Sequence, residues 1–163
     1  PVDNNCHQRG EKRMKPKFIA TLALALSGTG VLADGHATGD ASAGDKVFNK
    51  CKACHSIVRT DGDVIRKGGA VGPNLYGVYN RTAGTEEMFG NKFRDSIREA
   101  GENGLVWNES DFVAYIADPK KFLATFLNDS KAKSGMSFKL KKETDAKAVW
   151  AYLVSVGPEV EAD

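Results

Sequence analysis

The sequence predicts an all-α domain in which short helices and long loops wrap a bound group, and three observations carry that prediction. Apolar residues recur at helical spacing in several short pieces, whereas strand alternation is almost absent. The connecting stretches 56–90 and 124–142 are too long and irregular for a core made of side chains alone. Finally, Cys51-Lys52-Ala53-Cys54-His55 places two thiols and an imidazole at positions i, i+3 and i+4, which share one face of a helical turn.

The chain has 163 residues, which suits one domain. Its 41% hydrophobic and 27% charged residues exclude both a membrane bundle and a disordered chain. Met14-Lys15-Pro16-Lys17, the apolar run 18–26 and the small residues up to Val31-Leu32-Ala33 form the basic, apolar and cleavage regions of a secretory signal peptide over 14–33. Cleavage after Ala33 is expected, with Ala37 as the alternative because Gly35 is also small. An apolar run this short falls well below the roughly 20 residues needed to cross a bilayer, so secretion is expected and stable membrane insertion is not. Residues 1–13 lack a Met and any periodicity; they read as an upstream leader or an over-extended start, and Cys6 plays no part in the mature protein. The remaining 34–163 form a single domain with 18 basic and 19 acidic residues, a net charge of −1, which argues against nucleic-acid binding.

Taken in order, Asp40 or Ser42 caps a first helix that carries Val47, Phe48 and Cys51 on one face. A second helix over 91–100 ends at Gly101 with Phe93 and Ile97 inward, and a third over 110–117 carries Phe112, Val113 and Ile116. Asp118-Pro119 caps and opens a further turn or two. The strongest pattern runs over 143–156: Thr144 is the expected N-cap, Ala148, Val149, Tyr152, Leu153 and Val156 form the stripe, and Gly157-Pro158 ends it.

The C-x-x-C-H sequence is the attachment signal for a c-type haem, with two thioether bonds to its vinyl groups and His55 on the iron. A zinc site would need four ligands, and the mature chain offers only Cys51, Cys54, His55 and His36. A thioredoxin-like dithiol would sit at the head of a helix after a strand, whereas this motif ends a helix and no βαβ pattern follows. A purely structural Cys pair is the remaining alternative. The secretory signal favours haem, because such attachment takes place outside the bacterial cytoplasm. Candidates for a sixth iron ligand are His36, Met88 and Met136; Met136, in a loop before the last helix, is best placed to reach the far side of the ring, its plain alternative being a core gap-filler. His/Met ligation leaves no open position on the iron, so the chemistry is one-electron transfer rather than oxygen or peroxide activation.

Charge is separated along the chain. Residues 86–118 hold eight acidic against three basic residues, a net −5, and 120–147 hold eight lysines against three acidic residues, a net +5. Lys120, Lys121, Lys131, Lys133, Lys139, Lys141 and Lys142 bracket Met136 and are expected to dock the carrier on acidic partner faces, while Lys147 reads as a solvated surface residue. Docking of this kind is weak and small, below about 1,200 Å² buried.

Gly44 and Phe48, the C-x-x-C-H motif, Gly72-Pro73-Asn74-Leu75-Tyr76-Gly77, Arg81-Thr82-Ala83-Gly84, Leu105-Val106-Trp107, Tyr115, Asp118-Pro119-Lys120-Lys121-Phe122, Met136 and Trp150-Ala151-Tyr152-Leu153 occur in the order found in one family. From about residue 43 to residue 156 the chain resembles the class I cytochromes c, most closely the larger bacterial cytochromes c2. The resemblance implies the class I cytochrome c fold, with the N- and C-terminal helices crossing at Gly44 and Phe48 against Val149 and Tyr152. It implies one haem c attached through Cys51 and Cys54, with His55 and Met136 as axial ligands. It further implies that the Pro73 carbonyl accepts from the His55 ring, that Tyr115 bonds the Met136 sulfur, that Trp107 donates to a haem propionate and that Arg81 balances propionate charge. Phe89 stands where a propionate-donating Tyr is expected. The implied protein is not an enzyme but a monomeric, soluble periplasmic carrier. It would take electrons from a cytochrome bc1-type complex to a photosynthetic reaction centre, a cytochrome oxidase, or both. The rival from another class is a peroxidase-like haem enzyme whose Met is displaced from the iron.

Overall fold

The first helix begins where Asp40 turns its carboxylate onto the backbone: it accepts from Ser42 N at 2.8 Å and Ala43 N at 3.2 Å, filling two of the unpaired donors of a helix start. Asp40, rather than Ser42, is therefore the cap. The computed structural model describes residues 37–159, all within the compact unit Leu32–Asp163. The expected signal peptide, the leader with Cys6, and His36 lie outside the described residues.

Helix α1 (Ala41–Val47) tightens into a 3-10 turn at Phe48–Lys50. The C-x-x-C-H motif follows as a further turn, in which His55 N–H donates to the Cys51 carbonyl at 3.0 Å. The motif thus succeeds the helix instead of lying in it, and the i to i+4 bond preserves the common face.

A hairpin comes next. Strands β1 (Ile57–Val58) and β2 (Val64–Arg66) pair antiparallel, Ile57 against Arg66 and Val58 against Val64, with an irregular register between the two pairs. Periodicity predicts loop over this stretch, since strands of two and three residues are too short for alternation to show. Asn74 ties the hairpin down: its side chain accepts from Val58 N at 3.0 Å and donates to Val58 O at 2.7 Å.

The expected helix at 91–100 is broken. A 3-10 turn spans Gly90–Lys92, Phe93 is extended, and α2 runs over Asp95–Glu102. It passes through Gly101 because that residue lies against the Ala83 carbonyl with no room for a Cβ: here glycine serves packing, not termination. Helix α3 (Glu109–Ala117) is capped by Asn108, whose side chain accepts from Asp111 N at 3.0 Å. Helix α4 (Pro119–Phe126) starts on Asp118, which accepts from Lys121 N at 3.2 Å.

Helix α5 (Glu143–Val156) has the expected bounds, but Lys142 occupies the N-cap and offers no side-chain acceptor, and Thr144 falls inside the first turn. Ion pairs support this start instead, Lys142 to Asp145 at 2.8 Å and Lys147 to Glu143 at 2.7 Å. The packing of α1 on α5 organises the domain. A Cβ on Gly44 would overlap the Ala148 carbonyl, so the two backbones touch, and the Phe48 ring packs 5.7 Å from that of Tyr152. On another side of α5, Phe112 of α3 meets Trp150 at 5.0 Å. Phe48, Leu105, Leu123, Val149, Trp150 and Leu153 are fully buried. Among the described residues no helix is long and apolar enough to cross a membrane.

Candidate haem site

The elements leave a cavity of about 650 Å³ between the C-x-x-C-H turn, the 70–75 segment, α2, α3 and the loop before α5. This is the size of a site for an organic cofactor rather than a packing defect. Cys51, Cys54, His55, Pro73, Arg81, Trp107, Tyr115 and Met136 all line it.

His55 Nδ1 lies 2.8 Å from the Pro73 carbonyl. A carbonyl has no hydrogen to give, so Nδ1 carries the proton and Nε2 keeps the lone pair that a metal ion requires. Burial pushes the imidazole pKa down and the Pro73 bond partly opposes it, so the ring is held neutral at neutral pH. A glycine-rich stretch lies flat against this turn: Gly69 N donates to Lys52 O and Gly72 N to Cys54 O, both at 2.9 Å. A Cβ on Gly72 would overlap the imidazole itself. The role of these glycines was not recognised from sequence, although the spacing Gly68-Gly69-x-x-Gly72-Pro73 beside a ligand turn was a legible signal.

Burial pushes the Cys51 thiol up to about 11. An attacking redox thiol needs the opposite shift, toward thiolate, so Cys51 does not fit that role. Among the described residues no group of three or more His, Cys, Asp or Glu is arranged to hold a metal ion directly.

Of the sulfur candidates, Met136 lines the cavity, whereas Met88 is 83% exposed and does not. The Met136 N–H donates to Ser134 Oγ at 3.0 Å, and the Tyr115 hydroxyl lies 3.4 Å from that same oxygen. Tyr115 therefore reaches the Met136 loop through Ser134. Burial raises the Tyr115 pKa and keeps its O–H protonated. Its ring meets Trp107 edge-on at 5.1 Å and Phe122 at 5.8 Å.

Arg81 donates to Tyr76 O at 3.0 Å and Asn74 O at 3.1 Å, which holds its guanidinium in the cavity wall. Phe89 and Phe93 both line the cavity, edge to face at 4.8 Å, so the position expected to lack a tyrosine hydroxyl is filled by an aromatic pair. The seven lysines read as docking residues are all exposed, and none lines the cavity. Lys50, Lys92 and Arg94 line it instead. Lys92 and Arg94 belong to a stretch that is acidic in sum, so charge along the sequence does not point to them.

The residues fit a covalently held porphyrin. Two thiols and a neutral imidazole share one wall, a thioether projects from a different segment, the lining is mostly apolar, and a guanidinium is available for carboxylate groups. Such a fold and site define a c-type cytochrome of class I.

The comparisons agree. No family model matches the chain. Cytochrome c2 of Rhodobacter capsulatus is 50% identical over 143 residues, covering 88% of this chain and 98% of that protein. Cytochrome c-551 of Roseobacter denitrificans is 49% identical over 136 residues, covering 83% and 94%. The crystal structure of cytochrome c2 from Rhodobacter sphaeroides superposes with a TM-score of 0.72 at 48% identity, covering 76% of this chain and 100% of that one. The chain belongs to the cytochrome c2 family: it is an electron-transfer protein with one covalent haem c, not an enzyme.

Proposed function

We propose that the chain is a soluble periplasmic shuttle. It takes one electron from a cytochrome bc1-type complex and delivers it to a photosynthetic reaction centre or a cytochrome oxidase. The observation that carries this reading is the presence of His55 and Met136 in the walls of one largely apolar cavity. When bound, the haem supplies a one-electron iron couple. Cys51 and Cys54 would anchor it, His55 would present Nε2 to the iron with its ring plane held by Pro73 and Gly72, and Met136 would supply the second protein ligand. An iron held by both residues would have no site left for oxygen or peroxide. Trp107 and Arg81 would bind the propionates, and Tyr115 braces the Met136 loop through Ser134.

Delivery and release rest on charge. Lys120, Lys121, Lys131, Lys133, Lys139, Lys141 and Lys142 form the exposed basic stretch on either side of Met136, with Lys50, Lys92 and Arg94 at the cavity itself. Of the seven, Lys139 pairs with Asp118 and Lys142 with Asp145, so Lys120, Lys121, Lys131, Lys133 and Lys141 carry the attraction for an acidic partner face.

The test is reduction of the purified protein by a bc1-type complex over a salt series. The second-order rate is expected to fall severalfold between low and physiological ionic strength and further beyond it. A rate indifferent to salt would overturn the docking surface, and carbon monoxide binding to the reduced protein at neutral pH would favour a haem enzyme with an open iron.

A further inference from the structure

Among the described residues the interior holds a single buried polar or charged side chain, and it is a carboxylate: Glu86, 9% exposed. It lines the haem cavity, the only carboxylate among the described residues that does so, in a wall that also holds the cations Lys50, Arg81, Lys92 and Arg94. A buried charge survives only when it is paired and hydrogen-bonded. Glu86 is hydrogen-bonded: its carboxylate accepts from Phe89 N at 2.9 Å and Met88 N at 3.3 Å, closing the turn that carries Phe89 into the cavity wall. Arg81 lines the same cavity, and the Glu86 charge supports its guanidinium against the cost of burial.

A neutral residue could have closed that turn, because Asn, Ser and Thr accept from backbone N–H groups as well as acids do. The charge itself is the unexplained feature. We propose that Glu86 is a positioning residue for the redox centre and that its fixed negative charge lowers the reduction potential of the haem. Reduction adds one negative charge to the haem. A carboxylate held in the wall of a poorly solvated cavity opposes that addition, and the low local dielectric makes its effect larger than that of a surface charge at the same distance. The 86–90 turn thus does two things at once: it seats Phe89 against the cavity, and it sets a negative charge against that of Arg81. This inference rests on the reading of the cavity as the haem site.

The experiment is a spectroelectrochemical titration of wild-type holoprotein and three variants at neutral pH, in low and high salt. Glu86→Gln keeps an acceptor for the turn and removes the charge, so its midpoint potential is expected to rise. Glu86→Thr, a second neutral residue with a capping oxygen, is expected to shift the same way and serves if the first variant does not fold. Glu86→Asp keeps the charge and shortens the reach, so it should stay close to wild type in potential even where it lowers the melting temperature. The Gln and Asp potentials should remain apart at high salt, since a buried charge is poorly screened. Wild-type potentials in both neutral variants, or an Asp variant displaced as far as the Gln one, would overturn the inference. Absence of a c-type reduced-minus-oxidised spectrum in the wild type would instead overturn the haem reading.

Discussion

At His55 three independent constraints meet in one ring. The Pro73 carbonyl dictates the tautomer, burial keeps the ring neutral, and Gly72 presses on the imidazole where any side chain would collide with it. Met136 is held differently, through its own backbone by Ser134 and, one step further, by Tyr115. His55 is therefore rigid by construction, and Met136 depends on a loop. Met136→Ala is expected to leave the protein folded around its haem, lower the reduction potential and open the iron. Carbon monoxide binding to the reduced variant, absent in the wild type, is the measurement. An unchanged potential would show that another residue supplies the sixth ligand. The family resemblance implies that the phenol stands beside the Met136 loop, and its hydroxyl lies 3.4 Å from Ser134 Oγ, two residues before Met136.

At the scale of elements, the packing of α1 on α5 bears the greatest consequence for the site, because α1 leads directly into the C-x-x-C-H turn. With Gly44 against the Ala148 carbonyl, the approach is set by backbone contact and not by interdigitated side chains. Gly44→Leu would force the helices apart and is expected to destabilise the fold by about 1–3 kcal/mol, the usual range for overpacking. A chemical unfolding curve reads this as a lower midpoint with an unchanged slope. Helix positions were legible in sequence wherever an apolar stripe and a side-chain cap coincided, as at Asp40 and Asp118. They were misjudged where glycine or a short element obscured the pattern. Gly101 looked like a terminator and is a contact point, Thr144 looked like a cap and lies within its helix, and the β1–β2 hairpin offered too few residues to alternate.

Over the whole molecule, stability at low pH follows from how its exposed carboxylates are held. Asp118 is kept below the usual carboxylate range mainly by its hydrogen bond from Lys139, and by the Lys121 backbone. Glu143 is held down by Lys147, and Asp145 chiefly by Lys142 with help from Lys50. A carboxylate whose folded pKa lies below its unfolded value contributes stability that is fully present above the unfolded pKa and lost as pH falls through the folded one. The melting temperature is thus expected to be flat from neutral pH to about pH 5 and to drop below pH 4, the range of ordinary carboxylates. Asp118→Asn should blunt part of that drop, and added salt should shrink the difference between variant and wild type. An acid limb identical in the two proteins would remove Asp118 from the account. Two of the lysines that stabilise these acids, Lys139 and Lys142, come from the same basic stretch proposed to meet partners.

The amino-acid sequence by itself determined the chemistry of the site: two thiols and an imidazole within five residues, a later thioether, and the proline and aromatic residues around them. Those assignments depend on side-chain identity and local spacing, which the chain carries wherever it folds. Tertiary structure alone decided which residues of distant segments share the cavity wall. It brought Met136 and not Met88 to the cavity wall, carried Lys92 and Arg94 there from an acidic stretch, and set Glu86, alone among the carboxylates of the described residues, in a wall with four cations. The physical reason is that electrostatics depends on distance through space and on solvent access, and neither is written in the order of residues along the chain.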